Sequence, residues 1–198
     1  MIPVMTAIQR ISTVDSRFKL PDGAGSDAVH TDSEYGYGVT LLHGDNGLVG
    51  TGITYTLGGG TNLICEAIEL LSQPILARNI EELMTHFGSV QRQIAEHPQI
   101  RWLGPHKGVT HSALSSITNA CFDLWAKHRG LPLWKLLLDL DSEALVNLID
   151  LSYYEDVLSH REAVALLEQH RPTRAQRESI LEKGYPGYDT SVGWYQYS

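Results

Sequence analysis

Along the first sixty residues apolar and polar positions alternate, and after that the spacing becomes helical. Residues 4–14 alternate loosely, 37–43 form a second such run and 48–56 a third. A period of two is the mark of half-buried strands. Between the last two runs, Gly44-Asp45-Asn46-Gly47 tolerates positive φ and predicts a hairpin. A polar stretch rich in Gly, Asp and Ser, residues 20–34, separates the first two strands. Loops of that length in a small domain serve as lids or binding loops, or else move.

After Gly58-Gly59-Gly60, the residues Leu63, Ile64, Ala67, Ile68 and Leu71 mark one helical face, with Pro74 near its end. Asn79 followed by Glu82 reads as a helix N-terminal box, and this second helix is expected to run through Leu83, Phe87 and Val90 to Ile94. A third carries Ala113, Ile117, Ala120, Cys121, Leu124 and Trp125 and ends at Gly130, with Pro132 beyond. Shorter helices are predicted at 132–138, at 142–148, from the Ser159/Glu162 box to Gln169, and from the Thr173/Gln176 box to Gly184. Residues 188–194 read as a late strand. The order is a β meander, a helical layer and a helix-rich tail, an α+β fold.

Composition narrows the class. With 198 residues, 42% hydrophobic, the chain can bury a core and is expected to form one domain or slightly more. A net charge of -8 argues against a nucleic-acid partner. No apolar run approaches the roughly 20 residues of a membrane helix, and the start lacks a secretory signal, so a cytoplasmic location is expected. Cys65 and Cys121 both fall in apolar helical patterns and read as buried, unpaired thiols of a reducing compartment.

Candidate chemistry is thin when taken residue by residue. Nine histidines include no His-Glu-x-x-His and no i, i+4 pair, so their spacing points to no metal site. The Gly58–Gly60 triplet between a strand and a helix could cradle a phosphate, yet no Walker lysine follows, and a flexible connection is the plainer reading. Asp139 and Asp141, with Glu143 beyond, could act as acid and base, but they precede a helix and read as its cap. No Gly-x-Ser-x-Gly elbow occurs.

One segment stands apart. Arg101-Trp102-Leu103-Gly104-Pro105-His106-Lys107-Gly108-Val109 is similar to the signature of L-fuconate dehydratases and related acid-sugar dehydratases of the enolase superfamily. More of that pattern follows in register: His111, Asn119-Ala120, Asp123-Leu124-Trp125-Ala126-Lys127, Gly130-x-Pro132-Leu133-Trp134-Lys135-Leu136-Leu137, Ile149-Asp150 and Gly184-Tyr185-Pro186-x-Tyr188. Upstream, Gly25-Ser26-Asp27-Ala28, His30-Thr31-Asp32 and Tyr35 resemble the family's substrate-covering loop, and residues 52–58 resemble its second loop. The chain departs from the pattern at His106, Ser152, Asp189 and the Tyr195-Gln196 pair.

The resemblance implies an N-terminal capping domain, an antiparallel three-stranded meander plus helices at residues 1–130, followed at 131–198 by the truncated start of a (β/α) barrel. About 200 residues is too short for a whole barrel, which typically needs about 250. It implies Mg²⁺-dependent loss of water from a sugar acid to give a 2-keto-3-deoxy acid, with the magnesium and the catalytic base held on later barrel strands. No catalytic or metal-ligating residue is therefore assigned in this chain, and the chain alone is expected to be inactive. The substrate-contact residues the resemblance transfers are Gly25, Ser26, Asp27 and Tyr35. The implied partner is a small sugar acid, with a homo-oligomer open to a full-length protein. The competing expectation is a non-catalytic remnant acting as a binding or interaction module, with surfaces around Trp134, Leu151 and Trp194 open to a partner.

Overall fold

Strands β1 (Ile8–Lys19), β2 (Glu34–Gly44) and β3 (Val49–Thr56) pair antiparallel in the order β1-β2-β3 in the computed structural model. The structure describes residues 5–21, 24–26, 28, 29, 31, 34–104, 107–184 and 187. Side chains alternate strictly along β2: Gly36, Gly38, Thr40, Leu42 and Gly44 are buried, while Tyr35, Tyr37, Val39, Leu41 and His43 line the opposite, more open face. The Gly44–Gly47 turn closes as expected, with Gly47 at φ 86° and the Gly44 N–H donating to the Leu48 carbonyl at 2.8 Å.

The inner face of the sheet is covered by helices α1 (Thr61–Leu71) and α4 (Gly108–Arg129). In the chain α2 (Ile80–Thr85) and α3 (Phe87–Ala95) come between these two, and both pack on α4. One core joins these layers, with Ile8, Leu42, Ile68, Phe87, Ile117 and Leu124 fully buried. Leu136 of α5 (Leu133–Asp139) and Leu148, just after α6 (Ser142–Asn147), belong to the same core. Then come α7 (His160–His170) and α8 (Arg174–Glu182). Of the described residues beyond 131, none forms a strand, and the strand expected at 188–194 lies outside the described residues.

The seat of α4 on the sheet is unusually close. A Cβ added at Gly52 would lie 1.9 Å from the Ser116 carbonyl oxygen, and one at Gly50 would lie 2.4 Å from that of Ala120. The absence of side chains at Gly50 and Gly52 therefore lets the α4 backbone rest directly on the strand. Ser116 fills the contact with a buried hydroxyl, 2.7 Å from Thr40 Oγ1 and within hydrogen-bond reach of the Gly38 and Gly52 carbonyls.

Along the outer edge of β3 the same helix supplies hydrogen-bond partners. Asn119 Nδ2 donates to the Ile53 carbonyl, the Thr51 N–H donates to Asp123 Oδ2 at 2.7 Å, and Lys127 Nζ donates to the Val49 carbonyl at 2.8 Å. Four helical residues rise about 6 Å and two strand residues about 6.7 Å, so a helix period of four keeps step with a strand period of two. An edge strand left bare would invite pairing with another chain, and this ladder occupies it. The signature residues Asn119, Asp123 and Lys127 thus have a structural role.

Three expectations are corrected. The first strand is Ile8–Lys19: Met5 to Ala7 are outside it, residue 4 lies outside the described residues, and the strand runs on past residue 14 because residues 15–19, polar apart from Phe18, pair with the start of β2. The helix expected from Asn79 to Ile94 is two helices, broken at His86 (φ -135°), after which Gly88 lies against the backbone at Ile149 and the Phe87 ring packs edge-on against Phe122. Asn79 does cap α2, accepting from the Glu81 and Glu82 N–H groups. Thr173 does not cap α8; its hydroxyl donates backwards to the His170 carbonyl.

Gly52→Ala is expected to lower stability by about 3 kcal/mol, because the methyl group must push α4 off the sheet. Gly59→Ala, where nothing lies within 4 Å, should stay within about 0.5 kcal/mol of the parent. Urea unfolding of the two variants gives the comparison.

Candidate functional site

Antiparallel pairing brings the two candidate loops to one end of the sheet. Lys19 pairs with Glu34 and Gly36 with Thr56, so the chain leaves β1, enters β2 and leaves β3 side by side. In the first loop a turn closes from the Ala24 N–H to the Pro21 carbonyl at 2.9 Å, and Gly25 follows with φ 64°. A Cβ at Gly25 would fall 2.8 Å from Tyr35 Oη and 2.9 Å from Leu20 Cδ1. Both the positive φ and the closeness of the phenol therefore call for glycine.

Two of the four residues transferred by the resemblance, Gly25 and Tyr35, thus meet. Ser26 is next in the chain and half-buried, and Asp27 lies outside the described residues. Tyr35 stands edge-on to Tyr55 at 5.4 Å, Tyr55 to Tyr37 at 6.0 Å, and Tyr37 to Phe18 at 6.1 Å. Burial pushes the Tyr55 phenol up from its ordinary pKa, and the Tyr35 and Tyr37 phenols, Tyr35 also by hydrogen bonding, push it the same way. The group stays protonated and able to donate at neutral pH.

The second loop is shorter than residues 52–58 suggested, since Gly52–Thr56 belong to β3 and only residues 57–60 connect to α1. Thr61 Oγ1 donates to the Gly58 carbonyl at 2.8 Å and lies 2.7 Å from Thr56 Oγ1. The Glu34 carboxylate sits over Gly58, where a Cβ would be 2.6 Å from Oε1. This arrangement disfavours the phosphate-cradle reading of Gly58–Gly60. The Thr61 and Leu63 N–H groups already donate to the Gly58 and Gly60 carbonyls, and a carboxylate stands beside them. Sequence reasoning included Tyr55 and Thr56 only within the 52–58 stretch and did not single out Glu34, Tyr37 or Thr61. The register of the meander was the signal that could have placed them, since it puts Tyr35, Tyr37 and Tyr55 on one face.

Other candidates resolve into structural roles. Asp139 pairs with Lys135, while Asp141 caps α6 by accepting from the Ala144 N–H at 2.7 Å. Arg101–Leu103 is a single 3₁₀ turn with Trp102 three-quarters exposed and its Nε1 donating to the Gln99 carbonyl; Pro105 and His106 lie outside the described residues. Cys65 and Cys121 are buried and unpaired as expected, and burial pushes the Cys121 thiol up to about 12. Among the described residues no three His, Cys, Asp or Glu side chains gather where they could hold a metal ion. No helix among them is long and apolar enough to cross a membrane.

A small cavity of about 240 Å³ lies between α3, α4 and the segment after α6, lined in part by Arg92, Glu96, His111, Asp150 and Tyr153. Its polar groups hold the tail to the core: Arg92 donates to Asp150 through two nitrogens, and the Tyr153 hydroxyl donates to Glu96 at 2.9 Å. Burial alone would raise the Asp150 carboxyl, but hydrogen bonds from Arg92 and Ser152 outweigh it and leave the pKa below its ordinary value. A carboxyl depressed on folding adds stability above its unfolded pKa of about 3.9, which is lost as pH falls through the lower folded value. Asp150→Asn is therefore expected to cost about 1 kcal/mol at pH 7, discounted for the half-exposed arginine, and to flatten the fall in stability below about pH 4. Unfolding midpoints from pH 7 to pH 2.5 measure both effects.

Comparison with known proteins agrees with this architecture. Residues 13–137 match the family described as mandelate racemase / muconate lactonizing enzyme, N-terminal domain. Over 194 residues the chain is 43% identical to mitochondrial enolase superfamily member 1 of Bos taurus, covering 96% of this chain and 44% of that protein. It is 35% identical over 178 residues to L-galactonate dehydratase of Hypocrea jecorina, covering 89% and 40%. The crystal structure of human mitochondrial enolase superfamily member 1 superposes with a TM-score of 0.91 at 40% identity, over 98% of this chain and 45% of that one. The chain thus spans less than half the length of the relatives it matches.

Proposed function

The chain belongs to the mandelate racemase/muconate lactonizing enzyme family, and on that premise we propose that it forms the capping part of a magnesium-dependent acid-sugar dehydratase. Its substrate is an L-fuconate-like aldonate and its product a 2-keto-3-deoxy sugar acid. The observation that carries this reading is the meeting of Gly25 and Tyr35 where the two loops leave the sheet. The identity to a protein named L-galactonate dehydratase supports the substrate class.

In this reading residues 1–130 are the cap and 131–198 lead into the barrel, joined to the cap's core through Leu136 and Leu148. Loop residues recognise the sugar acid. The Tyr35 and Ser26 hydroxyls and the Asp27 carboxylate hydrogen-bond its hydroxyl groups, and Gly25 lets the backbone come close. A site built to pair with hydroxyls discriminates strongly, because an analogue lacking one leaves a buried polar group unpaired. In the same reading the magnesium and the base that removes the α-proton are held on barrel strands beyond these 198 residues. The two unpaired, buried thiols suit a reducing compartment, the cytoplasm or the mitochondrion that the vertebrate relatives' names give.

Two measurements test this. The purified 198-residue chain should release no 2-keto acid from L-fuconate or L-galactonate with magnesium present, and turnover by it would refute the division of labour. Fused in frame to the remaining part of the Hypocrea jecorina relative, the chain should support dehydration of L-galactonate. There Tyr35→Phe should cut kcat/KM about tenfold to a hundredfold, for the loss of one hydrogen bond to the substrate. A fusion with full activity in the Tyr35→Phe variant would remove the loop from substrate recognition.

A further inference from the structure

Tyr55 lies within the stretch whose sequence resembles the second loop, but the structure sets it in β3. It lies directly across from Tyr37 at the end of β3, diagonal to Tyr35, and half of its surface stays open. Its ring nonetheless has two edge contacts, to Tyr35 at 5.4 Å with planes at 77° and to Tyr37 at 6.0 Å with planes at 63°. Tyr37 is held in turn by Phe18, and Phe18 is the residue opposite Tyr35 on β1. Four rings therefore form a continuous chain of edge contacts, Phe18 to Tyr37 to Tyr55 to Tyr35, across all three strands. Gly25 approaches the Tyr35 hydroxyl from the loop side, with the Leu20 side chain next to it.

We propose that Tyr55 is a positioning residue for the substrate loop: its ring, set between Tyr35 and Tyr37, fixes the direction of the Tyr35 side chain, and the Tyr35 hydroxyl seats the loop at Gly25. An aromatic ring at the mouth of a sheet has open alternatives, and quadrupolar edge contacts select one of them. Gly25, at positive φ and without a Cβ, is shaped to receive the hydroxyl in that one direction. The order of action runs from Tyr55 to Tyr35 to Gly25. Tyr55 tunes recognition without touching the sugar acid. The inference rests on the reading of the first loop as the cover of a sugar-acid site, and its structural half can be read without any ligand.

Hydrogen–deuterium exchange on the 198-residue chain tests it. Tyr55→Ala should raise exchange at the amides of Ala24, Gly25 and Ser26 at least fivefold, while those of Thr40 and Leu42 in the sheet stay within twofold of the parent. Tyr55→Phe, which keeps the ring, should restore protection to within twofold. In a Tyr35→Ala background, Tyr55→Ala should add nothing further at residues 24–26, a coupling that general weakening of the sheet would not produce. No rise in Tyr55→Ala, an equal rise at Thr40 and Leu42, or full additivity with Tyr35→Ala would overturn the proposal. Failure of the fusion to turn over L-galactonate would count against the sugar-acid reading and leave the exchange result standing.

Discussion

Everything in the molecule is arranged around the closeness of α4 to the glycine stripe on β3. With Gly50 and Gly52 presenting no side chains, the helix backbone comes into contact with the strand, and Ser116 is drawn into the sheet's own hydrogen bonding. At that distance the side chains of Asn119, Asp123 and Lys127 reach over the strand and take up the backbone groups of its free edge. One approach therefore sets the packing, closes an edge and fixes the height of the sheet beneath the helices. A helix held off by ordinary side chains would do none of these.

That constraint divides the sheet into two unlike faces. The inner face gives its small residues to α1 and α4, and the outer face keeps larger ones, with Phe18, Ile53 and Tyr55 about half exposed. Because β3 is locked by α4, the register that places Tyr55 opposite Tyr37, and Phe18 opposite Tyr35, is locked with it. The ring cluster at the loop end is thus a consequence of packing on the far side of the sheet. The loops inherit a rigid base, as the recognition of hydroxyl groups proposed for them would require.

Much of this was legible in the chain and some was not, for identifiable reasons. The hairpin at Gly44–Gly47, the Asn79 and Ser159 caps and the end of α4 at Gly130 follow from local chemistry that tertiary contacts reinforce. The lower half of β1 was missed because Asp15, Arg17 and Lys19 lie on an exposed edge strand that has little to bury. The break at His86 was missed because apolar spacing continues unchanged through Leu83, Phe87 and Val90. What accompanies it is distant in sequence: just after the break, Gly88 sits so close to the tail that a Cβ there would meet the Ile149 carbonyl at 2.2 Å. Family resemblance pointed to Gly25 and Tyr35 and took in Tyr55 only as one of residues 52–58, and the register is what shows that its ring joins theirs.

The central claim is that the loop end resting on this sheet meets a sugar acid while the reacting groups come from elsewhere. The most direct measurement is the ¹⁹F resonance of 3-fluorotyrosine placed at Tyr35, recorded during a titration of the active fusion protein with L-galactonate. The account predicts a shift that saturates at the same concentration as turnover, together with a much smaller shift from the same label at an outward residue far from the loops, such as Tyr154. A Tyr35 resonance that stays fixed while turnover saturates would contradict it.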